Sequence, residues 1–154
     1  MAETIYQRLS AYFSRPVAEK GAKSLSSKAQ IEIRVTGAEP TAVTLARQDK
    51  RNVIIEGPAR DPDLIFTLSE RALAQVLADP TEDLGELGVN LLKLVMSHDP
   101  ELKMSMQVKA GFLGLFSKGY FGVLAAGGGP LASYLASKGF NGIDAIKAAL
   151  KKRK

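Results

Sequence analysis

The stretch Leu102-Lys-Met-Ser-Met-Gln-Val-Lys109 decides the fold, because its apolar and polar residues alternate strictly. Successive side chains of a β-strand point to opposite faces of a sheet. The alternation therefore predicts a strand with one buried face and one solvent-exposed face. We expect Met104, Met106 and Val108 to point toward covering helices.

A segment of different composition follows this predicted strand. Six of the ten aromatic residues lie between Phe112 and Phe140, together with a triple glycine at 127–129. A protein core uses aromatic residues but seldom needs this much glycine. We predict that this segment covers the sheet and encloses a hydrophobic ligand. Lys118 and seven glycines within 110–136 argue against a membrane-spanning helix.

The sequence before this segment predicts four more strands and several helices. Alternating stretches predict strands at 31–36, 41–47, 53–55 and 64–68. Short links between these strands predict antiparallel neighbours. Apolar residues at helical spacing predict helices at 3–14, 70–78 and 81–97, the last of them capped by Thr81, and shorter helices near 111–118, 130–138 and from Asn141 onward.

The length of 154 residues predicts one domain. We expect an N-terminal helix in 1–20, a sheet with helices in 31–109, and an apolar cover with a basic tail in 110–154. The chain has no cysteine, which excludes disulfides and thiolate metal sites. The first residues lack the basic and apolar regions of a signal peptide, so we expect a cytoplasmic protein.

The charge is unevenly distributed along the chain. Residues 102–154 carry 9 Lys or Arg against 1 Asp or Glu, whereas residues 1–101 carry 12 against 15. A basic C-terminal part predicts transient contact with an anionic membrane surface, and a tail that only improves solubility is an equal alternative. Nucleic acid is the weakest interpretation. The basic residues in question are Lys147, Lys151, Lys152, Arg153 and Lys154.

Groups suited to catalysis are scarce in this sequence. His98 is the only histidine, and it lies in a predicted turn. Asp61 and Asp63 flank a proline, and such a turn commonly satisfies its own backbone. We find no zinc-ligand spacing, phosphate loop or nucleophile elbow. We therefore expect no catalytic residues, no metal and no cofactor.

Several stretches resemble the sterol carrier protein type 2 family. The best match runs from Gly57-Pro-Ala-Arg-Asp-Pro-Asp63 through Leu64-Ile-Phe-Thr-Leu-Ser69 to Glu70-Arg-Ala-Leu-Ala-Gln-Val-Leu77. Ile31-Glu-Ile-Arg-Val-Thr-Gly37 resembles the first strand and turn of the family. The sequence departs from the family at Lys103–Gly111, where the usual glycine–lysine–leucine–lysine strand and glutamate–glycine–aspartate turn are missing.

The resemblance implies an α+β fold with a five-stranded, mostly antiparallel sheet. Helices would cover one face, and an apolar tunnel would lie between the sheet and the C-terminal helices. Phe112, Phe116 and Tyr120 would share one helical face if that helix continued past Gly119. The candidate tunnel-lining residues are Leu91, Val95, Met104, Met106, Val108, Phe112, Leu115, Phe116 and Tyr120. A plain dry core is the alternative for any one of them.

Two functions from different classes follow from these observations. The first is non-catalytic binding and intracellular carriage of a fatty acyl lipid, sterol or isoprenoid. The second is a protein-interaction or dimerisation module that uses the apolar segment 111–140. The sequence leaves the oligomeric state open, and an enzyme is a distant third hypothesis.

Overall fold

The computed structural model describes residues 4–37, 42–95, 97 and 99–126. Its helices and strands are α1 Ile5–Phe13, α2 Pro16–Gly21, β1 Gln30–Thr36, β2 Ala42–Gln48, β3 Arg51–Glu56, β4 Leu64–Ser69, α3 Glu70–Ala78, α4 Leu84–Val95, β5 Ser105–Val108, α5 Phe112–Ser117 and α6 Tyr120–Ala126. The helices predicted near 130–138 and from Asn141 onward lie outside the described residues, as do His98 and the five basic residues between 147 and 154.

The five strands form one mixed sheet in the order β3-β2-β1-β4-β5. The prediction of a five-stranded, mostly antiparallel sheet is confirmed, since only the β1–β4 pairing is parallel. The prediction that β3 and β4 are antiparallel neighbours is wrong. Their link crosses the sheet and is held there by hydrogen bonds from Thr44 Oγ1 to the Gly57 carbonyl oxygen and from the Ala59 amide to Glu32 Oε1.

The two faces of the sheet differ in what covers them. We call the face that carries Ile31, Ile33 and Val35 the inner face, because α1 and α3 pack on it in a single apolar core. The opposite, outer face carries the crossing link. It also leaves the side chain of Ile55 on β3 44% exposed. The one-sided helical cover that the sequence predicted is therefore present.

One helix was not predicted from the sequence, and another begins later than predicted. The N-terminal region forms two helices, and Pro16 is the first residue of the second, where its missing N–H group costs nothing. The helix predicted to begin at Thr81 begins at Leu84. Asp83 provides its cap, because Asp83 Oδ1 accepts hydrogen bonds from the amides of Gly85 and Glu86.

The fifth strand is shorter than its sequence pattern predicted. Residues 99–103 form a turn in which the amides of Leu102 and Lys103 both donate to the Asp99 carbonyl oxygen. β5 therefore begins at Ser105 and has only four residues. The expected burial of alternate side chains is wrong at Met106, whose side chain is 46% exposed.

Candidate functional site

The inner face of the sheet is buried at its central strands and partly open at the β5 edge. Val35 and Val43 are fully buried beneath the helices, whereas Phe66 on β4 is only partly buried and Met106 on β5 is half exposed. The register places Met106 directly beside Phe66, and Val108 beside Leu64. We call these four apolar side chains, Leu64, Phe66, Met106 and Val108, the β5 surface.

A second apolar surface lies on α5. Leu113 is 78% exposed and Phe116 is 65% exposed, and the two residues are three positions apart, so they lie on the same side of the helix. Leu115 points the other way and is buried in the core. We call Leu113 and Phe116 the α5 ridge. This six-residue helix thus buries one leucine, Leu115, and leaves a second leucine and a phenylalanine largely exposed.

The structure separates the predicted tunnel-lining residues into three groups. Met104, Leu115 and Tyr120 are buried in the core. Leu91, Val95 and Val108 are partly buried and pack against it. Met106 and Phe116 are exposed, and the side chain of Phe112 lies outside the described part of the chain.

The expected helical face of Phe112, Phe116 and Tyr120 does not form. Gly119 adopts φ +89°, a left-handed conformation that ends α5 before α6 begins. Tyr120 consequently belongs to a different helix from Phe116. Its ring is buried while that of Phe116 is exposed.

The helices α5 and α6 are attached to the sheet by a buried carboxylate. The side chain of Asp63, at the start of β4, is only 2% exposed. Its Oδ1 accepts from Lys118 Nζ at 2.7 Å. Its Oδ2 accepts from the Tyr120 hydroxyl at 2.7 Å and from the Gln30 amide at 2.9 Å. We call Asp63, Lys118 and Tyr120 the Asp63 cluster.

The cluster changes the acid–base behaviour of its tyrosine. Burial of the ring and the hydrogen bond to the Asp63 carboxylate raise the pKa of Tyr120 far above its usual value. The hydroxyl therefore stays protonated and keeps donating to Asp63 throughout the physiological pH range. The hydrogen bond between Tyr120 and Asp63 is therefore a persistent structural contact, and the protonated Tyr120 hydroxyl is not suited to act as a base.

Backbone contacts hold the turn between α5 and α6 against the segment that precedes β1. The Ser26 amide donates to the Lys118 carbonyl oxygen at 2.9 Å, and Ser24 Oγ donates to the Gly119 carbonyl oxygen at 2.7 Å. A Cβ atom at Gly119 would lie 1.9 Å from the Ser24 carbonyl oxygen. The close approach requires glycine here in addition to the positive φ.

The Asp63 cluster was not predicted from the sequence. Asp63 was expected to be a turn residue that satisfies its own backbone, but its carboxylate accepts from a residue of β1 and two residues of the α5–α6 region. A usable signal was present. Together with Ser117, Lys118 and Tyr120 are the polar groups of an otherwise apolar stretch, and buried polar groups need partners elsewhere in the fold.

A cleft of about 210 Å³ lies between α3 and α4. Val76, Leu91 and Leu94 line it together with polar residues, among them Asp79 and Asn90, whose side chains are joined by a 2.8 Å hydrogen bond. Sites for drug-sized ligands start at about 300 Å³ and are mostly apolar. The cleft is therefore smaller and more polar than such a site.

Among residues 4–37, 42–95, 97 and 99–126, no group of three His, Cys, Asp or Glu side chains is placed to hold a metal ion. Within the same ranges, no helix has the length and hydropathy needed to cross a bilayer.

The fold of this chain is similar to that of a solved structure. A solved structure described as "UbiJ-SCP2 Ubiquinone synthesis protein" aligns with 68% of this chain and 79% of its own, at 17% sequence identity and a TM-score of 0.44. No protein-family model matches the sequence, and no curated protein matches it.

Proposed function

We propose that this protein binds a hydrophobic molecule, such as a fatty acyl lipid, a sterol or an isoprenoid, and that the β5 surface forms part of the binding site. One observation supports the proposal above the others. The inner face is fully buried at Val35 and Val43 but leaves Met106 46% exposed beside a partly buried Phe66. The helices cover this same face, so the exposed edge at β5 lies next to the apolar core.

The energetics favour a ligand over exposure to water. Full burial of a methionine or phenylalanine side chain stabilises a protein by about 1.5–3 kcal/mol. Half exposure of Met106 therefore forgoes roughly 1 kcal/mol. An apolar ligand that covers Met106, Phe66 and Val108 together would recover this burial energy. Methionine suits such a site because its unbranched, polarizable side chain adapts to varied apolar shapes.

In this proposal the protein carries its ligand in the cytoplasm and performs no chemistry on it. Residues 110–154, predicted as an apolar cover with a basic tail, would complete the site, and the candidate lining residues that the core does not bury would contact the ligand. The basic residues Lys147, Lys151, Lys152, Arg153 and Lys154 would steer the carrier to anionic membranes. Their replacement by glutamine is expected to weaken vesicle binding and to leave lipid uptake unchanged.

The proposal is tested by native mass spectrometry of the purified protein, followed by organic extraction and lipid analysis. We expect a bound species of a few hundred daltons at one copy per chain. M106E should lose this species, because it places a charge against the apolar ligand. I55E is the matched control, since Ile55 is exposed to a similar degree on the outer face. A lipid-free monomer that takes up no offered lipid would refute the proposal.

A protein-interaction or dimerisation module is the second candidate. The α5 ridge favours it, because exposed apolar side chains in pairs commonly mark contact surfaces. In that case the purified protein would be a lipid-free dimer, and L113E would dissociate it. A lipid-loaded monomer would exclude this alternative.

A further inference from the structure

We infer that the free edge of β5 is a docking site for an extended, acidic segment of a partner protein, which adds a sixth strand to the sheet. The main contacts are hydrogen bonds between backbones, a known mode of recognition in which a peptide extends an exposed sheet edge. This docking does not rest on the proposed ligand, which contacts side chains of the inner face, and it uses a different surface from the α5 ridge.

The strand β5 lies at one end of the sheet. It is the last strand in the order β3-β2-β1-β4-β5, and within the described part of the chain it pairs with β4 alone. Three of its four residues, Ser105, Met106 and Gln107, are exposed. Four residues of a strand extend over about 14 Å, so the edge has room for a short extended peptide.

Hydrogen bonds at the two ends of β5 show which backbone groups face outward. In an antiparallel pair, successive residues direct their N–H and C=O groups alternately toward the partner strand and away from it. The Lys109 amide donates to the Asp63 carbonyl oxygen at 2.8 Å, toward β4. The Met104 amide donates to the Leu94 carbonyl oxygen at 3.0 Å, on the side away from β4. The even-numbered residues of β5 therefore direct their backbone groups outward.

We call the outward N–H and C=O groups of Met106 and Val108 the β5 backbone edge. Within residues 4–37, 42–95, 97 and 99–126, no residue forms a hydrogen bond with these four groups. Backbone amides and carbonyls need hydrogen-bond partners when they are covered, and a hydrocarbon ligand has none to offer. An extended polypeptide offers a complementary row of donors and acceptors at the same spacing.

The charge at the β5 backbone edge is positive. Lys103 and Lys109 are exposed and lie at its two ends, and residues 102–126 contain no Asp or Glu. The carboxylate of Asp63, the residue that accepts from the Lys109 amide, is buried and paired with Lys118. An acidic segment on this edge is therefore attracted from both ends.

The acidic residues ahead of β5 do not reverse this charge. Glu101 forms an ion pair with Arg71, and Asp99 is exposed in the turn. Lys93 is also exposed, next to the Leu94 carbonyl that holds the start of this stretch. Among the described residues, three lysines without an ion pair thus stand against one such carboxylate.

Charge also argues against a second copy of this chain as the occupant. Pairing of two β5 backbone edges would bring Lys103 and Lys109 of both copies together, and like charges in close contact oppose association. Lysines on an edge strand are a common protection against such self-pairing. An acidic partner converts the same lysines into attractive contacts.

The sheet geometry also specifies the sequence pattern of the partner. Successive side chains of an added strand alternate between the two faces of the sheet. On the inner face they lie beside Met106 and Val108, where apolar residues fit. On the outer face they lie beside the polar residues of β5, within reach of Lys103 and Lys109. The expected segment therefore alternates apolar and acidic residues.

Fluorescence anisotropy with labelled synthetic peptides tests the inference. The probe is a peptide of about seven residues in which valine and glutamate alternate, long enough to span β5. One control replaces glutamate by lysine, and a second is the valine–glutamate peptide with every amide N-methylated. We expect each control to bind about tenfold more weakly, because lysine reverses the attraction and N-methylation removes the backbone donors.

Charge variants of the protein test the role of the two lysines. K103E/K109E should weaken binding of the probe by about tenfold and should favour the valine–lysine peptide. K20E/K50E is the matched control near the opposite edge of the sheet. Lys50 directly precedes β3, and Lys20 follows Glu19, which accepts from the Asn52 amide of β3. Native mass spectrometry of the same variants measures bound lipid, so loss of docking and loss of ligand binding are told apart.

Amide hydrogen exchange measured by NMR locates the bound probe. The Met106 and Val108 amides should exchange rapidly in the free protein and at least about tenfold more slowly with the probe bound. The Ser105 and Gln107 amides, which face β4, are the internal control and should exchange slowly in both states.

Any of four results would overturn the inference. The first is absence of probe binding, and the second is equal affinity for the N-methylated peptide, which would exclude backbone pairing. The third is equal affinity for the valine–lysine peptide, which would remove the role of charge. The fourth is slow exchange of the Met106 and Val108 amides in the free protein, because another part of this chain or a second copy would then already occupy the edge.

Discussion

The Tyr120 hydroxyl donates a 2.7 Å hydrogen bond to Asp63 Oδ2 across 57 residues of sequence. The bond joins the first turn of α6 to the residue that precedes β4. The same carboxylate accepts from Lys118 and from the Gln30 amide, so a single side chain connects α5, α6, β1 and β4. The placement of α5 and α6 relative to the sheet therefore depends strongly on Asp63.

Replacement of Asp63 by alanine should destabilise the protein by about 2–4 kcal/mol. The variant leaves the Tyr120 hydroxyl and the Gln30 amide without an acceptor in a buried site and deprives Lys118 of its counterion. Urea unfolding at neutral pH measures the loss. D61A is the matched control, because Asp61 is exposed two residues away and should change stability by less than about 0.5 kcal/mol. Equal effects of D61A and D63A would contradict the proposed importance of the cluster.

Alkaline pH should destabilise the protein through its buried tyrosines. Burial raises the pKa of Tyr12 to about 12, and burial with the Asp63 hydrogen bond raises that of Tyr120 further. Above about pH 10 a tyrosine ionises in the unfolded chain but not in the folded one. The free energy of unfolding therefore falls as pH rises, by about 1.4 kcal/mol per pH unit for each such tyrosine.

The Y120F variant isolates the contribution of Tyr120 to this pH dependence. At pH 8 it should be less stable than the parent by about 1–2 kcal/mol, because the hydrogen bond to Asp63 is lost. Above about pH 10 the difference should shrink, since only the parent has a tyrosine at this position that ionises on unfolding. Urea titrations at several pH values measure both curves. If the difference in unfolding free energy between the parent and Y120F stays constant above about pH 10, Tyr120 has the same pKa in the folded and unfolded states.

The sequence predicted the sheet well because its signals are local. Ile31, Ile33 and Val35 alternate with polar residues, and this alternation gave the strand and its buried face correctly. The same local signal failed at Met106. Alternation reports which side a residue faces, whereas burial depends on how far the covering helices extend, and α1 and α3 pack toward β1 to β4 but leave β5 at the edge.

Long-range features escaped the sequence analysis for a related reason. The parallel pairing of β4 with β1 depends on a link that crosses the outer face, and the length of that link looked like an ordinary hairpin connection. The Asp63 cluster joins residues 55 and 57 positions apart, and nothing near Asp63 in sequence specifies Lys118 or Tyr120. Both features are decided by tertiary contacts.

Gly119 should tolerate alanine much less well than Gly57. Both glycines have positive φ values, +89° and +96°, so either substitution costs about 1–2 kcal/mol in backbone strain. At Gly57 nothing lies within 4 Å of the added Cβ, whereas at Gly119 the Ser24 carbonyl oxygen would be 1.9 Å away. Thermal unfolding and limited proteolysis of G119A and G57A measure the difference. Equal melting temperatures would mean that the α5–α6 turn can move away from Ser24 at no cost.

A double-mutant cycle between Asp63 and Lys118 should show strong coupling. K118M leaves a buried carboxylate without its cation, and D63N leaves the ammonium group without its counterion, so each single change is costly. The double variant D63N/K118M removes both charges and keeps a side chain that accepts from Tyr120 and Gln30. We expect it to be more stable than the sum of the two single effects predicts, by about 1–3 kcal/mol. Urea unfolding of the four proteins gives this coupling energy. The Lys118 side chain is 24% exposed. Additive effects would therefore mean that water stabilises the Lys118 ammonium group as much as the Asp63 carboxylate does.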